Sequence, residues 1–238
     1  MSKYQLVIFD LDDTLFDYEE TERAAVIKTC ENWGIADDGS MYSKYRRAND
    51  TARIKYPDIT PRNIRQFRCA RAIEFLELIG RVEITADRFV ERYLEYSTVG
   101  VLICGVQETL EAMEGVTKVV ATNGSNFPRR NKLENSTIAN YFHGYYSAED
   151  LGVSKSNPDY FLTIIARYDV PKERILIVGD DYRLDITAAI GIGVDCCWFN
   201  YRKEKMDITV PDTVRVIERF EDLIDIISDE PYEEKHKL

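Results

Sequence analysis

The sequence predicts an α/β fold in which a parallel sheet is covered by helices and an all-helical insertion follows the first strand. Three observations carry that expectation. Short apolar runs rich in β-branched residues, at 3–9, 118–122, 174–178 and 194–199, alternate with helical patterns. Runs this apolar suit strands buried on both faces, as in parallel sheets. Between the first run and the second, residues 17–99 carry helical periodicity and no strand signal. The expected division is therefore a core of residues 1–16 and 100–238 and a helical domain of residues 17–99.

Each element has a local reason. Residues 3–9 form the first strand. A helix is expected from Tyr18 to Trp33, with Gly34 as its stop, and another over 41–56. Thr60-Pro61 reads as an N-cap followed by proline at the first helical position, opening a helix to about 80. Thr85 caps a further helix ending near Ser97. After Gly100 the rhythm becomes strand and helix by turns: helix 107–113, strand 118–122, helix 129–141, strand 144–147 and helix 158–168 with Asn157 as cap. Strand 174–178, helix 184–190, strand 194–199, strand 214–217 and helix 220–227 complete the series. Residues 229–238 read as a polar tail.

Composition bounds the chemistry. The chain has 238 residues, 45% hydrophobic and 31% charged, which supports a packed core. A net charge of −11 disfavours nucleic acid and anionic membranes as partners. No apolar stretch approaches the roughly 20 residues that span a bilayer, and no secretory signal is visible, so a cytoplasmic protein is expected. The five cysteines (Cys30, Cys69, Cys104, Cys196, Cys197) have irregular spacing and no C-x-x-C, arguing against disulfides or a zinc site. Cys196 and Cys197 are adjacent in a strand, so their side chains should face opposite sides. Only two histidines occur, His143 and His236, so zinc hydrolysis and Ser-His-Asp chemistry are poorly supplied. Walker, G-x-G-x-x-G and G-x-S-x-G motifs are absent.

The chemistry gathers where the strands end. Asp10, Asp12, Asp13 and Asp17 place four carboxylates in the eight residues that follow the first apolar run. The 118–122 strand ends in Thr122-Asn123-Gly124, Lys155 precedes a helix, and the 174–178 strand ends in Gly179-Asp180-Asp181, with Asp185 close behind. In open α/β sheets, sites form at the C-terminal strand ends, so these groups converge. Crowded carboxylates are tolerable if they hold a hard cation such as Mg2+. A hydroxyl, glycine-rich backbone N–H groups and one lysine suit phosphate oxygens. Together they point to phosphoryl transfer.

In order, Asp10-Leu11-Asp12-Asp13-Thr14-Leu15, Thr122-Asn123-Gly124, Lys155, and Gly179-Asp180-Asp181 with Asp185 resemble the four motifs of the haloacid dehalogenase-like superfamily. The resemblance runs from Phe9 to about Phe199. The stretch 140–161 is similar to the family's approach to its lysine, although Ser156 follows Lys155 where proline is common. The resemblance implies a Rossmann-like core with a helical cap. It implies Asp10 as nucleophile, forming an aspartyl-phosphate, and Asp12 as general acid and then base. It implies Thr122, Asn123, Gly124 and Lys155 on the phosphoryl group. Mg2+ would be held by the Asp10 side chain, the Asp12 backbone carbonyl and Asp180. Either Asp181 or Asp185 would complete the outer shell and position Lys155. The family's dehalogenases lack the second aspartate, so Asp12 favours phosphate ester hydrolysis.

Residues 8–21 and 191–200 are also similar to a branch of 5′-nucleotidases, which implies nucleoside monophosphates as substrates. The rivals are a sugar-phosphate or phosphoglycolate phosphatase, a mutase, and a non-catalytic or receiver-type signalling protein; the first shares most of these residues. Between residues 41 and 72, nine basic residues (Lys44, Arg46, Arg47, Arg53, Lys55, Arg62, Arg65, Arg68, Arg71) face two acidic ones (Asp50, Asp58). They form either a solvated face or a surface that attracts an anionic substrate.

Overall fold

The computed structural model describes residues 2–60, 62–124, 126–206 and 209–228. Pro61, His236 and the tail 229–238 lie outside the described residues. The chain divides into two compact units, Met1–Asp17 with Val101–Leu238, and Tyr18–Gly100.

The first unit is built on a six-stranded parallel sheet of order β3-β2-β1-β4-β5-β6. Its strands are β1 (Leu6–Phe9), β2 (Thr117–Thr122), β3 (Gly144–Ser147), β4 (Ile175–Gly179), β5 (Asp195–Phe199) and β6 (Arg215–Ile217). Strands β1 and β4 are buried at every residue, which is why they read as continuous apolar runs. Alternate residues feed two separate cores. Val7, Phe9, Val178, Cys197 and Phe199 pack on one face, and Leu6, Ile8, Ile177, Cys196 and Trp198 on the other. Cys196 and Cys197 accordingly sit on opposite faces.

Antiparallel contact between Phe16 and Leu102, with Asp17 N–H donating to the Val101 carbonyl at 2.9 Å, ties together the two ends of this unit's broken chain. The second unit contains α1 (Tyr18–Glu31), α2 (Met41–Lys55), α3 (Ile64–Leu78) and α4 (Ala86–Tyr96). They bury an aromatic core that includes Tyr45, Phe75, Phe89 and Tyr93. Gly34 has the left-handed backbone (φ 67°) that ends the first helix.

Several boundaries differ from expectation. The helix expected from Pro61 starts at Ile64. Asn63, not Thr60, stands at its cap position, and the Asn63 side chain instead accepts from the Thr60 N–H at 2.7 Å. The expected helix 129–141 is split into α6 (Asn126–Glu134), broken at Phe127, and a 3-10 turn, Ala139–Tyr141; it follows α5 (Val106–Ala112). Next come α7 (Ala148–Leu151) and α8 (Asp159–Ile165), where the Asn157 side chain accepts from Asp159 N–H. The expected helix 184–190 is a π turn over Tyr182–Ile186 leading into α9 (Thr187–Ile192); α10 (Leu223–Ile227) closes the unit.

Nor are the basic residues of α2 and α3 all solvated. Arg71 is buried in the second unit, its guanidinium 3.4 Å from Glu22 and stacked near the rings of Tyr45, Phe67 and Tyr93.

Candidate active site

The site lies at the C-terminal edge of the three central strands. The register pairs Phe9 with Val120 on one side and with Val178 on the other, so β2, β1 and β4 end side by side. Thr122, Asp10 and Asp180 are therefore delivered by neighbouring strands. At these ends the sheet stops and the side chains that follow can gather beyond it.

Lys155 is the hub. Its side chain is 2% exposed, and its ammonium bonds both Asp10 Oδ1 and, at 2.7 Å, Asp185 Oδ1. The lysine is fixed from behind, because its backbone N–H donates to Asn123 Oδ1 at 2.8 Å. That bond joins the loop after β2 to the loop before α8. Thr122 is buried, and its hydroxyl accepts the Gly124 N–H at 3.2 Å. Tyr160 supports the same corner by donating to the Thr122 carbonyl at 3.1 Å.

Asp10, Asp180 and Asp185 can place one carboxylate oxygen each within 4.8 Å of one another. Burial pushes the Asp180 carboxyl up to about 9, with Asp10 and Asp185 adding repulsion. Burial likewise raises Asp10 to about 7, against the pull of Lys155. Burial also raises the Lys155-paired Asp185. For Lys155 itself burial opposes the charge, yet Asp10 and Asp185 hold the ammonium above its ordinary range. Asp180 is oriented by Thr14, whose hydroxyl accepts the Asp180 N–H at 3.1 Å, and by the Trp198 indole, which donates to its carbonyl at 2.8 Å.

The two candidate outer acids separate cleanly. Asp181 is exposed and caps the π turn, accepting from the N–H groups of Arg183 and Leu184 at 2.9 and 3.0 Å. Asp185 is 1% exposed and turned inward. Gly179 makes room for it, since a Cβ at that position would collide with the Asp185 carboxylate. Asp185 Oδ2 is buried with no protein partner. Asp185 thus belongs with Asp10 and Asp180, and Asp181 does not.

Asp12 also departs from the simplest picture. Its carboxylate is not one of the three clustered acids and is gripped by two cations of α6. Lys132 bonds Oδ1, and Arg129 Nε donates to Oδ2 at 2.6 Å. Burial pushes this carboxyl up, but Lys132 and Arg129 outweigh it and hold Asp12 well below the usual carboxylate range. Asp12 is therefore an ionised carboxylate here. Arg129 and Lys132 were not read from the sequence as site residues. The available signal was a pair of basic residues three apart on one helix face, directly after the 122–124 loop. Of the other acids in the first loop, Asp13 takes a positive φ of 60° in the turn and accepts from Tyr201 and Arg202 at 3.0 and 2.7 Å; Asp17 accepts from Arg202 at 3.2 Å.

A parallel sheet of this order, with an acidic cluster and a buried lysine at its central strand ends, is an open α/β fold that gathers its charged groups in the loops beyond the C-terminal strand ends. The family model for haloacid dehalogenase-like hydrolases matches residues 4–193. The chain belongs to that family, and is an enzyme of the hydrolase class. Among curated relatives it is 24% identical to the pyrimidine 5′-nucleotidase YjjG of Escherichia coli, over 93% of this chain and 98% of that protein. It is 25% identical to a ribulose-1,5-bisphosphate 5-phosphatase of Halopiger xanaduensis, over 83% and 85% respectively. A crystal structure of YfnB from Bacillus subtilis, bound to magnesium, superposes with a TM-score of 0.73 at 24% identity, covering 94% of this chain and 98% of that one. Among the described residues, no helix is long and apolar enough to cross a membrane.

Proposed function

We propose that this protein is a Mg2+-dependent phosphatase of small phosphorylated metabolites, acting through an aspartyl-phosphate on Asp10. The observation that carries the reading is the pairing of Asp10 with the sealed Lys155, beside Asp180 and Asp185. A carboxylate attacks phosphorus only if it is ionised and aimed. Lys155 aims the Asp10 carboxylate and favours its charged form against the burial that raises it, and its ammonium would also attract phosphoryl oxygens.

The donor set fits a hard cation. Three carboxylates converge, one buried oxygen of Asp185 lacks a partner, and burial holds Asp10 and Asp180 above their ordinary range. That arrangement is costly without added positive charge. Asp10, Asp180 and the Asp12 carbonyl would hold Mg2+, with Asp185 alongside and the YfnB structure as precedent. When bound, it would neutralise the carboxylates and draw charge from the phosphoryl oxygens. Thr122 and the backbone N–H groups near Gly124 would orient the phosphoryl group. Asp12, once protonated, would donate its proton to the leaving oxygen and then, as the carboxylate, take one from the attacking water. Because Lys132 and Arg129 hold it ionised, its acid role requires that this grip loosen once substrate is in place.

Nucleoside 5′-monophosphates are the proposed substrates, supported by the similarity to YjjG. Sugar phosphates are the second reading, favoured by the comparable similarity to the ribulose-bisphosphate phosphatase. The helical unit, residues 18–100, is proposed as the substrate-selecting cap. The test is phosphate release with Mg2+ across nucleoside monophosphates and sugar phosphates, with wild type and Asp10→Asn in parallel. Turnover of nucleoside monophosphates that is lost in the variant supports the proposal. Preference for a sugar phosphate overturns the substrate assignment, and absence of turnover on every ester overturns the phosphatase reading.

A further inference from the structure

The two cations that grip Asp12 are unlike each other. Lys132 is sealed, its side chain 4% exposed and its ammonium 4.9 Å from the centre of the Phe16 ring. It has nowhere else to go. Arg129 stands one turn earlier on the same helix face, with its side chain 28% exposed. Its chain crosses directly over Gly124, where a Cβ would collide with Cδ, Nε and Cζ of the arginine. Glycine is required at 124 for this close approach, because any side chain would push the guanidinium off the loop.

One guanidinium therefore touches both halves of the proposed site. It lies against the 122–124 loop, which would orient the phosphoryl group, and it bonds Asp12, which would face the leaving oxygen. Asp12 already has a permanent partner in Lys132, so fixing that carboxylate does not need a second cation at the rim. Holding a long, part-exposed side chain there costs rotamer entropy. A planar guanidinium does match a phosphate group through paired N–H donors.

We infer that Arg129 is a substrate-binding residue: it shares Asp12 in the free protein and turns onto the phosphoryl oxygens when a phosphate monoester enters. Lys132 keeps Asp12 in place while Oδ2 becomes available to the leaving oxygen. The incoming group carries roughly −1.5 to −2 at neutral pH, and so competes well with Asp12 for the same guanidinium. This inference rests on the phosphatase reading above.

The experiment uses the full, Mg2+-loaded chain as wild type, Arg129→Gln and Arg129→Lys. Inorganic phosphate is the binding probe, measured by calorimetry, and KM and kcat are read on the best ester from the substrate panel. Arg129→Gln should weaken phosphate binding and raise KM by about tenfold or more, the scale of a lost charge-assisted hydrogen bond. The kcat should change far less. Arg129→Lys should fall between the two, since a point charge restores attraction but not the paired contact. It also carries the test by itself if Arg129→Gln does not fold. Unchanged phosphate affinity with a fall in kcat, in wild-type-like folded variants, overturns the inference and leaves Arg129 a holder of Asp12. If wild type neither binds phosphate nor hydrolyses any ester, the phosphatase reading falls with it.

Discussion

Lys155→Met is the most informative single change, because the structure puts three carboxylates around one buried ammonium. Methionine keeps much of the side-chain volume and removes only the charge. Asp10 and Asp185 then lose their partner while Asp180 stays close by. Removing one member of a buried ion pair costs about 3–5 kcal/mol, and a lysine that serves two carboxylates belongs at the upper end. For a chain of this size each kcal/mol moves the melting temperature by about 2–4 °C, so the core unit should melt roughly 6–20 °C lower. The assay is thermal unfolding in EDTA, followed by circular dichroism, with and without added Mg2+. Magnesium should recover part of the loss by replacing the missing charge, and so should acid, which lets the crowded carboxyls take up protons. A melting temperature in EDTA within about 2 °C of wild type would refute the claim that Lys155 neutralises this cluster.

Three further outcomes are expected. The folded-state rise of Asp10 to about 7 and Asp180 to about 9 means that both bind protons more tightly folded than unfolded. Their contribution to metal-free stability is thus full below the ordinary carboxylate range and is lost as pH rises through about 7 and then about 9; melts in EDTA should fall across that window, and saturating Mg2+ should flatten the slope. Trp198→Phe removes the indole N–H bond to the Asp180 carbonyl and should weaken Mg2+ binding several-fold, read by calorimetry, since one hydrogen bond is worth about 1 kcal/mol. In the helical unit, Arg71→Leu leaves the buried Glu22 carboxylate with the hydroxyls of Tyr18, Tyr42 and Tyr93 but without its cation, and should cost about 3–5 kcal/mol by denaturant unfolding, part of it regained in Arg71→Leu with Glu22→Gln.

The parallel sheet was legible because strands such as 174–178 are buried on both faces and must read as unbroken apolar runs. The convergence of Asp10, Lys155 and Asp180 was legible for a related reason: residues just past adjacent parallel strands have one edge to share. What escaped the sequence depends on tertiary placement. Asp181 and Asp185 look interchangeable as letters. The π turn over Tyr182–Ile186 adds a residue to the turn, leaving Asp181 outside as a cap and carrying Asp185 inward. Arg129 and Lys132 read as ordinary helix charges until the helix is docked and Asp12 meets them. Thr60-Pro61 carries a helix-start signal, but Asn63 binds back to the Thr60 N–H and the helix opens later.

The most direct test of the central claim is to quench the Mg2+-loaded enzyme during turnover of its best ester and map any protein-bound phosphoryl group by peptide mass. An acyl phosphate on the peptide carrying Asp10, present in wild type and missing together with turnover in Asp10→Asn, is the predicted result. A phosphoryl group on another residue, or turnover retained by Asp10→Asn, would contradict the account.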